Sequence, residues 1–75
     1  MKIQWLRDVS TNSTTKTASF PLTFTSRNSY CISVSITARV AVRVVKNEDD
    51  TGCNTFKHQT DSSSTYHIDV IGIGY

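Results

Sequence analysis

Apolar and polar residues alternate most clearly over "YCISVSITARVAVRVV". Tyr30, Ile32, Val34, Ile36, Ala38, Val40, Val42 and Val44 fall on one side, and Cys31, Ser33, Ser35, Thr37, Arg39, Ala41 and Arg43 on the other. A period of two belongs to a strand with one face on a core. As one strand the run would extend roughly 45 Å at about 3.3 Å per residue, far beyond the common length of about 3–10 residues. The pattern therefore predicts two strands, or one sharply bent, with the break near Ala38 and Arg39. A second alternation closes the chain: Tyr66, Ile68, Val70, Gly72 and Gly74 share one face, and His67, Asp69, Ile71, Ile73 and Tyr75 the other. Both faces carry β-branched residues, so this terminal strand is expected to be half buried on one side and partly covered on the other.

Shorter signals fill the rest. "KIQWLRD" reads as a short strand, "TASFPLTFTS" as a second one that Pro21 confines to an edge or a bulge, and Cys53 to His58 as a third. "KNEDDTGCN" and "QTDSSST" read as loops, since Asn, Asp, Ser and Gly make turns through their own backbone bonds and conformational freedom. No segment repeats apolar residues at helical spacing. The expectation is one all-β domain over residues 1–75, a small antiparallel sandwich or barrel, with Trp5, Phe20, Leu22, Phe24, Ile32, Val34, Ile36, Val42, Val44, Phe56, Ile68 and Val70 in its core; a sugar-stacking platform is the alternative reading of Trp5, set aside because it stands beside Ile3 and Leu6.

Length sharpens this picture. A chain of 75 residues buries only about 60–65% of its unfolded surface, so a lone monomer is marginal and association is expected. Ser and Thr abound in the loops and on strand faces, which suits a β protein. No apolar stretch follows Lys2 as an export signal requires, and none approaches the eighteen or so residues of a membrane span, so no membrane insertion is expected. Cys31 and Cys53 permit at most one bridge; without an export signal they read as reduced thiols acting as small hydrophobes. The net charge of +2 is spread along the chain, unlike the basic clusters of nucleic-acid binders. Arg39, Arg43, Lys57 and Tyr66 could still form a basic, aromatic surface for single strands, and that alternative stays open.

Candidate chemistry is sparse. Cys31 with His58 or His67 lacks any nucleophile motif, so no catalytic residue and no cofactor is expected. His67 and Asp69, two apart on one strand face, could supply two metal ligands that a threefold axis would multiply; as a polar pair on a solvent-facing sheet they need no metal.

Three stretches resemble one family, in order along nearly the whole chain. "IQWL" looks like the Gln-Trp strand, "ASFPLTFTS" like the apolar-Phe-Pro-x-x-Phe strand, and "VIGIGY" like the closing signature of the C-terminal domain of bacteriophage tail fibre proteins. "TGCNTF" is similar to that family's Thr-Gly-Phe segment. Val70 stands where that family often has an aromatic, and Gly72 where it often has Ala or a similar small residue. The resemblance implies a homotrimeric β-sandwich at the distal tip of a virion tail fibre, made in the host cytoplasm and binding a glycan or outer-membrane protein of the bacterial surface. It also implies an upstream shaft beyond these residues. A purely structural trimerisation cap is the other reading within that family. Surface recognition calls for polar side chains on loops. The expected contact residues are Arg27 and Asn28; Asn47, Glu48, Asp49 and Asp50 before Gly52; and His58, Gln59, Asp61 and Tyr66.

Overall fold

The computed structural model describes residues 1–47 and 51–75. Among them there are six strands and no helix: β1 (Lys2–Thr11), β2 (Lys16–Ser19), β3 (Tyr30–Ile36), β4 (Val42–Lys46), β5 (Thr55–Thr60) and β6 (Tyr66–Gly74). They form two antiparallel sheets, β1-β6-β3 and β2-β5-β4. The alternating run breaks where the pattern places it, with β3 ending at Ile36, bends over 37–40, and β4 starting at Val42. Phe56 of β5, Ile68 and Val70 of β6, Tyr30 of β3, and Phe20, Phe24 and Cys53 from the connections make one buried core, against which Ile32, Val34, Val42 and Val44 pack.

The last strand is the middle one. Gly74 sits opposite both Lys2 and Tyr30, and Val70 opposite both Leu6 and Val34, so β6 is bonded along both edges. Its inner residues, Ile68, Val70, Gly72 and Gly74, are buried, while His67, Asp69 and Ile73 are exposed. The two glycines are required by what lies on them. A Cβ at Gly72 would meet the Phe20 ring at 2.9 Å and the Phe24 ring at 3.3 Å; one at Gly74 would meet Tyr30 Cα at 2.5 Å and the Ser29 carbonyl oxygen.

β1 departs from simple alternation. Leu6 pairs with Val70 and Val9 with Ile68, so Arg7 and Asp8 together face the single residue Asp69, a β-bulge. The extra residue resets the phase, and Leu6 and Val9, three apart, both pack on the core. Asp8 carries the strain, at φ 55°, a left-handed conformation that Asp tolerates better than most residues. This is why the strand runs on to Thr11 rather than stopping at the bulge, as "KIQWLRD" suggested.

Three expectations are corrected. The segment "TASFPLTFTS" is a strand only over Lys16–Ser19; beyond it Phe20 N–H donates to the Asn54 carbonyl (2.7 Å) and Phe24 N–H to that of Cys53 (3.0 Å), holding an irregular loop that puts both phenyl rings inside. Leu22, between them, is 56% exposed rather than core. Trp5 is 58% exposed, because Gln4 takes the inner position of β1. The Gln4 amide behaves as a strand neighbour would: Nε2 donates to the Leu22 carbonyl (2.8 Å), and Oε1 accepts the Leu22 N–H (2.7 Å). A buried polar side chain is tolerated where it satisfies backbone groups that otherwise lack partners.

Replacing Gly74 by Ala is expected to cost about 3 kcal/mol or more, because backbone atoms of β3 cannot yield, and Gly72→Ala about 1–3 kcal/mol, since a ring can tilt. Urea unfolding of both variants against the parent checks the size and the order of the two losses.

Candidate recognition surface

The expected contact residues separate into two groups at opposite ends of the domain. One end gathers the start of β3, the ends of β4 and β6, and the loops joining them. There Arg27 and Asn28 are exposed on the loop before β3. Lys46 ties that loop down: its Nζ donates to the carbonyls of Arg27 (2.6 Å) and Tyr30 (2.8 Å) and lies 4.6 Å from the centre of the Tyr30 ring. Asn47 is at the same end but is engaged within its own loop. Its Nδ2 donates to the carbonyls of Thr51 and Gly52, and its Oδ1 accepts the Thr55 hydroxyl (2.9 Å). Asn47 is therefore a loop clamp first. Glu48, Asp49 and Asp50 lie outside the described residues.

The other end holds Gln59, Asp61 and Tyr66. Gln59 Oε1 accepts the Thr15 hydroxyl (2.6 Å), Asp61 N–H donates to the Ala41 carbonyl (3.3 Å), and the Tyr66 hydroxyl reaches Ser62 Oγ at 3.5 Å. Asp61 is exposed and Tyr66 half-buried. With principal extents of 34 × 20 × 16 Å, no flat contact on one end engages both groups.

His58 does not belong to the surface at all. It alternates with Lys57 and Gln59 along β5 and so points inward, 2% exposed, with Nδ1 2.9 Å from the hydroxyl of buried Thr11. Phe56 packs beside it at a ring separation of 6.0 Å. Burial lowers the His58 pKa, and the charge of Lys16, its cross-strand neighbour, lowers it further. Its expected role as a receptor contact gives way to a neutral core imidazole. The sequence signal was present in the phase of β5, which puts His58 on the same side as Phe56.

His67 and Asp69 serve the bulge. Asp69 Oδ1 accepts the Asp8 N–H (3.1 Å), and His67 Nδ1 lies 3.4 Å from the Asp8 carbonyl oxygen. Among the described residues no three His, Cys, Asp or Glu side chains are grouped to hold a metal ion. Of the basic alternative, Arg43 and Lys57 line one shallow depression on the outer face of β4 and β5 with Thr15, Val45 and Gln59. Tyr66 belongs to the other sheet. Cys31 lies exposed on the outer face of β3, and Cys53 is sealed in the core.

Sequence reasoning found only part of an apolar patch on the outer face of β1-β6-β3: it put Ile71, Ile73 and Tyr75 on that side of the last strand but assigned Trp5 and Leu22 to the core. Ile3 pairs with Ile73 across the strands there, and Met1, Leu22 and Tyr75 are exposed around that end. Next to it, Trp5 and Ile71 pair and open a groove that continues toward the bulge. Comparisons of the chain with protein-family models, with curated proteins and with solved structures return no match.

The lowered His58 pKa makes stability depend on pH in a fixed direction. Above the ordinary value of 6.5 the imidazole is neutral in both folded and unfolded chains, and its packing contributes fully. Below it the unfolded chain takes up a proton that the folded one resists, so stability falls with pH by at most about 1.4 kcal/mol per unit from this group. Melting temperatures of the parent and of His58→Gln between about pH 7.5 and 5.5 should diverge, the parent losing more on acidification.

Proposed function

We propose that this domain is the distal tip of a phage tail fibre, assembling as a homotrimer and attaching to the surface of a host bacterium. The observation that carries the reading is that the three stretches resembling the tail-fibre family pack on one another. Gln4, from "IQWL", bonds both backbone groups of Leu22, from "ASFPLTFTS". Gly72, from "VIGIGY", lies opposite Gln4 and beneath the rings of Phe20 and Phe24. Each motif needs the other two: the amide needs the loop, the loop needs the glycine, and the glycine sits in the register that brings the amide in. A set of residues that depend on one another in space is what a shared fold would retain, and this supports reading the resemblance as kinship rather than chance composition.

Assembly is supported by the exposed patch of Met1, Ile3, Leu22, Ile73 and Tyr75. Contiguous apolar surface of this kind marks contact sites, and a domain this small gains stability by covering it. Three copies would also repeat every surface contact three times, so weak individual contacts add through avidity.

Purified domain is expected to sediment as a trimer at micromolar concentration and to adsorb to cells of its host but not to unrelated bacteria. Ile3→Glu combined with Ile73→Glu should yield a folded, smaller species whose adsorption drops about a hundredfold or more as avidity is lost. A parent that stays monomeric at high concentration would remove the assembly half of the reading. Adsorption to no bacterium, together with salt-sensitive binding of an oligonucleotide, would replace the attachment half by nucleic-acid recognition.

A further inference from the structure

From the outer face of the β1-β6-β3 sheet, we infer that the groove beside Trp5 is a saccharide site, taking a neutral pyranose ring of a surface glycan. The inference rests on the attachment function proposed above and gives that function a place and a ligand class.

Three features of the groove argue for this occupant. Its volume is about 510 Å³, and its lining includes Trp5, Arg7, Ser33, Ser35, Asp69 and Ile71. Trp5 offers a flat, exposed indole, fixed on a regular strand opposite Ile71 rather than on a loop. Such a ring suits the apolar C–H face of a sugar, and its surroundings suit hydroxyl groups. Ser33 stands opposite Ile71 and Ser35 opposite Asp69, so the two hydroxyls follow the groove along β3 at successive outward positions.

The polar groups are also available. Among the described residues the Ser33 and Ser35 hydroxyls and the Arg7 guanidinium have no hydrogen bond or ion pair within the domain, and Asp69 commits only Oδ1, to the Asp8 amide. One carboxylate oxygen is held in place while the other is left to accept from a ligand. The bulge thus has a use beyond resetting β1. It sets two residues, Arg7 and Asp8, against Asp69, which brings a cation and an oriented carboxylate to the same end of the groove. A pair of opposite charges with two hydroxyls matches a neutral polyhydroxy ring better than an anion, which Asp69 would repel, or an apolar side chain, which would leave these groups unsolvated.

Trp5 is the single tryptophan of the chain, so its fluorescence reports on this groove alone. The probes are the methyl pyranosides of glucose, galactose and N-acetylglucosamine, with sorbitol as an acyclic polyol that has hydroxyls but no ring face. At least one pyranoside should change the emission saturably with a dissociation constant of about 1–10 mM, while sorbitol leaves it unchanged. By calorimetry, Trp5→Ala should weaken binding about tenfold or more, and Asp69→Asn, which keeps the oxygen that accepts the Asp8 amide, about threefold to tenfold. Ser33→Ala with Ser35→Ala provides a second variant that leaves the bulge untouched and should weaken binding likewise.

No saturable response to any pyranoside, an equal response to sorbitol, or full-strength binding by Trp5→Ala overturns the inference. So does a Trp5→Ala protein that loses its self-association instead, since the face would then be covered by another copy. The two readings fail separately. Cells that still adsorb Trp5→Ala as well as the parent sink the saccharide site and leave the attachment function standing; pyranoside binding by a domain that adsorbs to no cell does the reverse.

Discussion

The structure depends on β6 lying between β1 and β3. That one strand carries the inner residues Ile68 and Val70, is hydrogen-bonded along both of its own edges, and provides the two glycines on which Phe20, Phe24 and Tyr30 rest. Because residues 66–74 must pair with residues 2–11 before the sheet exists, the loop being closed spans most of the chain. Its entropic cost is met only when several long-range contacts form together. Side chains at positions 72 and 74 would hold the aromatic cluster away from the sheet, and the core would lose its close packing at the point where most of it meets.

A domain of this size has few apolar residues to spare, and its interior uses polar ones in their place. Gln4 completes the backbone of the Phe-Pro loop, Thr11 and His58 satisfy each other, and Thr60, also buried, donates its hydroxyl to the Ser62 carbonyl (2.9 Å). Each removes an unsatisfied group instead of adding apolar area, and each fixes a particular register. The Tyr30 hydroxyl is the exception. It is buried with no partner among the described residues, and burial, followed by the charge of Cys53, raises its pKa. The ring nonetheless earns its position: it stacks on Phe24 at 4.3 Å with planes 5° apart and receives Lys46 on its face.

The outer face of the same sheet is graded from end to end. Ile3 and Ile73 make it apolar where β1 begins, Trp5 and Ile71 continue it with Ser33 alongside, and Arg7, Asp69, Ser35 and His67 make it polar at the bulge. One face therefore joins an apolar end to a polar one. Copies joined along the apolar end would carry their grooves at the margin of the contact, open to solvent and repeated by symmetry.

Period-two alternation, a purely local property, determined the all-β class and the inner face of β6, and the excessive length of one alternating run called for the interruption between Ile36 and Val42. The turn at 51–54 and the polar loop at 61–65 followed from turn-forming residues in the same way. Only the tertiary structure decided the phase of β1, because "IQWLRDV" presents Gln and Trp on adjacent positions and nothing nearby says which is covered. The choice is made by Leu22, whose backbone needs the Gln4 amide, and by the bulge, which lets Leu6 and Val9 both face inward. For His58 the phase of β5 shows the side it takes, shared with Phe56, but its partner Thr11, 47 residues away along the chain, is not legible locally. The separation of Arg27 and Asn28 from Asp61 and Tyr66 follows from strand order, which no stretch of sequence encodes by itself. Interactions between neighbours in sequence are readable from pattern; those between strands depend on which edges meet, and that is settled only when the whole sheet forms.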